Sequence, residues 1–192
     1  MGKLSKFNIA DLKLKYDLTA FVETGTWKGD AVEFARTLGF GNIYSIELHT
    51  DFWEKACQKF AAFPYIKILQ GTSIDNISSI LSLILPNKTL WWLDAHLHDT
   101  YGLDKAMTDR FPLEKELQLI SRSRDISGDV FIIDDLRIYE DGNFACGLCP
   151  KAHQNPVRGI DFVFTSLGKT HTIMRRYEDE GYIVCLPKEN TK

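Results

Sequence analysis

Thr19-Ala20-Phe21-Val22-Glu23-Thr24-Gly25-Thr26-Trp27-Lys28-Gly29 decides how this chain is read. Residues 19–23 (TAFVE) form a short β-rich run ending in an acid. Gly25 turns the backbone sharply, and Gly29 lets the next helix pack close. That helix is expected over residues 30–38, with Ala31, Phe34, Ala35 and Leu38 on one face. A strand, a glycine turn and a helix form the opening unit of a parallel α/β sheet.

The same rhythm continues outward. Strands are predicted over 42–48 (NIYSIEL), 65–69, 89–93 and 129–133. Helices are predicted over 51–63, with Thr50 as cap, over 74–85, with Ser73 as cap, and over 111–124. The run Thr89-Leu90-Trp91-Trp92-Leu93 is almost wholly apolar, as a strand buried on both faces should be, so both tryptophans read as core. The end of the chain differs: a helix over 157–167 precedes two strands, 172–177 and 181–186, joined by a short acidic turn. The expected fold is α/β, a single Rossmann-like doubly wound sheet of five parallel strands plus a C-terminal antiparallel hairpin, with helices on both faces. Residues 1–192 read as one domain, with an N-terminal helical segment in 1–18 (amphipathic over 9–16) and an inserted irregular loop over 137–157. An irregular stretch of that length in so small a domain points to function.

Composition narrows the classes. The chain has 192 residues, 44% hydrophobic and 26% charged, which is the mix of a globular protein. Lys+Arg number 23 against 26 Asp+Glu, a net charge of -3, so no global field draws nucleic acid or an anionic membrane. No apolar run approaches the roughly 18 residues of a membrane span, and the N-terminus lacks the apolar core of a secretory signal. Four cysteines do not make a disulfide framework, and a cytoplasmic setting is expected. A small-molecule ligand is therefore the expected partner. A homodimer is also open, although no residue pattern argues for it.

Ligands of open α/β sheets bind beyond the carboxyl ends of the strands, where strand order reverses. The first strand ends in E-x-G-x-x-x-G rather than the dinucleotide pattern G-x-G-x-x-G. Thr26 and the bulky Trp27 stand where a pyrophosphate would need a glycine, which argues for a nucleoside without a diphosphate. Glu47, 22 residues after Gly25, ends the second strand and can accept from both ribose hydroxyls. S-adenosylmethionine (SAM) matches these requirements.

The ordered segments ETGTWKG, NIYSIEL, ILQGTS, LWWLDAH and FIIDD resemble class I SAM-dependent methyltransferases. More narrowly, they resemble metal-dependent O-methyltransferases of the catechol and macrolide-sugar type, over roughly residues 19–186. The resemblance implies that Glu23, Gly25 and Thr26 hold the methionine part of SAM, within a turn that includes Thr24 and Gly29. It also implies that Glu47 binds the ribose, and that Thr72 and Ser73 lie by the adenine.

Asp94 ends the fourth strand, and Asp134 and Asp135 end the fifth. Adjacent strands lie about 4.8 Å apart, so three carboxylates meet at one edge. Oxygen ligands suit Mg²⁺, with Ca²⁺ or Mn²⁺ as alternatives, and the resemblance makes this trio the metal site. The other readings are that these aspartates cap helices, that Asp94 positions SAM, and that Asp135 pairs with Arg137. The catechol enzymes carry a lysine three residues after the first metal aspartate; here that position is Leu97. Either flanking histidine, His96 or His98, is then a candidate base, and His96 is favoured. Asp94, His96 and His98 could instead hold a softer metal. Cys146, Cys149 and His153 have the spacing of an incomplete zinc site, with Asp141, His96 or His98 as the fourth ligand. The polar segment 95–110 suits a small hydroxylated acceptor. A non-catalytic binding module on the same scaffold is the alternative function.

Overall fold

The computed structural model describes residues 3–96 and 110–189. Strands β1 (Ala20–Thr24), β2 (Asn42–Glu47), β3 (Ile66–Gln70), β4 (Thr89–Leu93), β5 (Val130–Ile133), β6 (His171–Arg176) and β7 (Tyr182–Pro187) share one sheet. Their order is β3-β2-β1-β4-β5-β7-β6. The first five run parallel, β7 is antiparallel to β5, and β6 closes the edge against β7. The α/β doubly wound sheet with its antiparallel hairpin is thus as expected. Strand order reverses between β1 and β4, which places the crevice at Thr24 and Leu93, paired in register.

Every residue of β1, β4 and β5 is buried, because helices cover both faces. Alternation along the strands sorts side chains into two cores. Val22, Ile46, Trp91 and Leu93 pack with α4 (Ser73–Ile84), α5 (Leu113–Ser123) and α6 (Asp161–Leu167). Phe21, Ile43, Leu90 and Trp92 pack with α1 (Ile9–Tyr16), α2 (Asp30–Thr37) and α3 (Thr50–Phe60). The adjacent tryptophans therefore anchor opposite cores, and Trp91 stacks on Phe131 with centroids 6.0 Å apart. At the far end of β4 from the crevice, Asp129 accepts from the Trp91 indole and the Thr89 amide, both at 3.0 Å, and from Arg124 at 3.2 Å.

Three local expectations are corrected. Thr72, not Ser73, caps α4, its hydroxyl accepting from the Asp75 amide at 3.2 Å. α3 begins one residue early with His49 as N-cap, and Thr50 instead accepts from Gln70 at 2.9 Å. α6 starts at Asp161 rather than 157, because the Gly159 amide is turned back onto the Tyr139 carbonyl at 2.7 Å. Residues 137–157 are irregular, with short 3-10 turns, yet they bury Ile138, Tyr139, Phe144 and Cys149 in the core. Among the described residues no helix is long and apolar enough to cross a membrane.

Candidate active site

At the carboxyl edge of the sheet two groups of side chains meet. The first is the rim formed by the ends of β1 and β2. Glu23 is 2% exposed and accepts from the Ser45 hydroxyl at 2.6 Å; Thr26 stands 2.5 Å from Ser45. Burial, chiefly, pushes the Glu23 carboxyl up to about 8, against the lowering effect of Ser45. Glu47 accepts from the Trp27 amide at 2.7 Å through one oxygen and from the His49 amide at 2.8 Å through the other. Each oxygen retains a lone pair for a hydroxyl donor.

The turn that joins β1 to α2 turns its amides inward. Gly25 and Thr26 donate to the Ile46 carbonyl at 2.9 and 3.1 Å, and Gly29 donates to Thr26 at 2.7 Å. The amides of Gly25, Thr26 and Gly29 are thus committed within the protein. Gly25 has φ +93°, and a Cβ there would stand 2.5 Å from the Asp94 carbonyl oxygen. Its bareness therefore admits the β4 backbone. A Cβ on Gly29, φ +71°, would meet the Phe60 ring at 2.8 Å, so the bare Gly29 admits α3 against the turn.

The second group lies at the ends of β4 and β5. Asp94, His96 and Asp135 bring one ligand atom each to within 4.8 Å of one another. His96 Nε2 is 2.5 Å from Asp135, and Nδ1 is 3.4 Å from Asp94. Burial works against the imidazolium, but Asp135 and Asp134 outweigh it and hold the His96 pKa above its ordinary value. Asp94 is raised well above the carboxylate range by burial and by its neighbours Asp134 and Asp135.

Asp134 is not a member of this close trio. Asp135 takes a left-handed backbone, φ 58°, and its amide donates to Asp134 Oδ1 at 2.8 Å. Asp134 Oδ2 is buried with no hydrogen-bond partner among the described residues, and burial with Asp135 pushes the group up to about 7. Asp134 nonetheless lines the same small cavity as Asp94 and His96. Asp135 does lie near Arg137, at 3.6 Å, while Arg137 also pairs with Glu180. His98 and Leu97 fall outside the described residues.

The expected zinc site is not assembled. The one group of potential ligands among the described residues contains neither cysteine. Cys146 is exposed, its amide tied to the Asp179 carbonyl at 3.0 Å, while Cys149 is buried beside His153, Arg137 and Asp135. Asp141 pairs with Arg158 at 2.9 Å. Of the remaining cysteines, Cys185 is fully buried and Cys57 only partly so.

Glu116 is a site residue that motif reading missed. It sits in the first turn of α5, 1% exposed, with the hydroxyls of Ser73 and Thr24 close enough to favour its ionised form. Burial pushes it up to about 7. The available signal was a glutamate set into the apolar stripe of Leu113, Leu117 and Ile120. Ser45, a small polar residue inside a buried strand, was a similar signal.

Comparison with solved structures places this geometry. A Staphylococcus aureus protein classed with the caffeoyl-CoA O-methyltransferases matches at TM-score 0.64 and 14% identity, over 98% of this chain and 85% of that one. The fold is that of solved O-methyltransferases. A Bacillus cereus O-methyltransferase in complex with S-adenosylhomocysteine (SAH) matches at TM-score 0.59 and 15% identity, over 98% of this chain and 83% of that one. The Streptomyces achromogenes O-methyltransferase TomG, involved in tomaymycin synthesis and in complex with SAM, matches at TM-score 0.53 and 18% identity, over 94% and 78%. No family model matches the sequence. No curated protein matches it either.

Proposed function

We propose that the protein is a SAM-dependent O-methyltransferase that uses a divalent cation, Mg²⁺ foremost, and acts on a small polar hydroxylated acceptor. One observation carries the reading. The Glu23/Glu47 rim and the partly buried Asp94/His96/Asp135 trio lie side by side at the strand-order reversal, on a fold whose solved examples hold SAM and SAH.

In this reading Glu47 receives the ribose hydroxyls, and Thr72 and Ser73 flank the base. Glu23 faces the amino-acid end, where an ammonium would favour its ionised form. SAM supplies a sulfonium methyl group that passes in line to the acceptor oxygen as the C–S bond breaks. Asp94, Asp134 and Asp135 are the carboxylates that would hold a cation, with His96 beside them. The unpartnered, buried Asp134 Oδ2 fits that role, as does a donor set rich in oxygen. Such a cation would supply Lewis-acid chemistry that lowers the pKa of the acceptor hydroxyl. His96 takes the hydroxyl proton, and the surrounding carboxylates stabilise the imidazolium that results.

The close approach of His96 to both aspartates favours one second reading, in which imidazole is itself a ligand and the metal is softer, such as Fe²⁺ or Zn²⁺. Calorimetric titration with SAM, paired with metal analysis of the purified protein, tests both. Failure to bind SAM removes the methyltransferase reading and leaves the binding module. SAM binding without any metal requirement leaves His96 as base alone.

A further inference from the structure

Glu116 has an unexplained oxygen. Its side chain is 1% exposed, and Oε1 has no hydrogen-bond partner among the described residues. A buried carboxylate oxygen without a donor is costly, so the site is built for a donor that arrives from elsewhere. Glu116 lines a cavity with room for about one water molecule, together with Asp94, His96, Asp134 and Tyr139. A positive charge on His96 favours the ionised form of Glu116. The hydroxyls of Ser73 and Thr24 stand near the same carboxylate, and Thr24 Oγ1 accepts from the Asp94 amide at 3.3 Å. Glu116 thus stands behind the aspartates on the side facing α5, outside the trio but inside its cavity.

We infer that Glu116 is an outer partner of the cation held at Asp94, Asp134 and Asp135, accepting a hydrogen bond from a water bound to that cation and fixing its affinity. The inference rests on the cation reading above. Glu116 is a positioning residue: it supplies negative charge and an acceptor without joining the ligands. Such outer partners typically set metal affinity by 10–100-fold.

The test is titration of Mn²⁺ into the parent protein, Glu116→Gln and Glu116→Asp, following free Mn²⁺ by electron paramagnetic resonance. SAH affinity is measured calorimetrically on the same proteins without metal. Glu116→Gln is expected to weaken Mn²⁺ binding about tenfold or more. Its SAH affinity should stay unchanged, because glutamine keeps the shape of the side chain and an acceptor oxygen toward Ser73 and Thr24. Glu116→Asp, which keeps the charge but withdraws it by one methylene, should fall between, and it decides the matter should the glutamine variant fail to fold. Equal Mn²⁺ affinity in parent and variants overturns the inference. So does parallel loss of Mn²⁺ and SAH binding with a lowered unfolding midpoint, which would make Glu116 a support of the fold. A parent that binds SAH but no Mn²⁺ removes the cation reading, and this inference with it.

Discussion

Glu23→Gln should make the protein less sensitive to alkali. The carboxyl is 2% exposed and titrates at about 8 in the folded protein, against an ordinary 4.5, with burial as the main cause. The folded state thus keeps a proton that the unfolded chain gives up. Stability from this group is complete below about pH 4.5 and is lost as pH rises toward 8. At about 1.4 kcal/mol per pKa unit the gap amounts to roughly 5 kcal/mol at its limit and about 4 kcal/mol by pH 8. Glutamine has nearly the same shape, and its carbonyl can accept from Ser45, which now bonds Glu23 at 2.6 Å. Burying the amide adds an offset that does not depend on pH. Asp94, Asp134 and Glu116 are raised in the same direction, so the parent curve alone is uninformative. The difference between parent and variant isolates Glu23. Urea unfolding at intervals from pH 4.5 to 8 should show the variant gaining on the parent by about 4 kcal/mol across the range. A difference that stays constant with pH would refute the claim that this carboxyl is buried and protonated.

Other outcomes follow from single contacts. Glu47→Ala removes the proposed ribose acceptor and strands the Trp27 and His49 amides; SAH affinity measured by calorimetry should fall by about 1–3 kcal/mol. Gly25→Ala forces a Cβ to 2.5 Å from the Asp94 carbonyl at φ +93°, so chemical unfolding should report a loss of about 1–3 kcal/mol, with SAH binding weakened alongside. Mn²⁺ at about 100 times its dissociation constant should stabilise the parent by roughly 2.7 kcal/mol in thermal unfolding, and Asp94→Asn should abolish the gain. Asp129→Ala leaves the buried Arg124 uncompensated and should cost about 3–5 kcal/mol in urea, while SAH affinity holds because this network lies at the opposite end of β4.

The strands were readable because each is a short apolar run punctuated by Gly, Asp or Glu, and parallel order follows from the intervening helices. The edge of the sheet that carries the site followed from the acids at the strand ends. Side-chain detail did not follow. Thr72 and Ser73 are both good caps, and only backbone geometry chose Thr72. The glycine turn read as a ligand cradle, yet its amides serve Ile46 and Glu47, a pairing that depends on the depth of β2. Cys146 and Cys149 have ligand spacing, but the chain turns one outward and one inward. Glu116 was hidden because α5 patterns as an ordinary amphipathic helix, and a glutamate next to its apolar face acquires meaning only when Thr24, Ser73 and Asp94 arrive from other elements.

The contact between Gly25 and the Asp94 carbonyl is a party wall: the Glu23/Glu47 rim lies on one side and the Asp94/His96/Asp135 cluster on the other, and at Gly25 main chain meets main chain. Neither compartment can be widened or narrowed by exchanging a side chain there. Any change in what these two groups hold must therefore be written in elements outside the sheet, because the spacing between them is set at this point by the backbone.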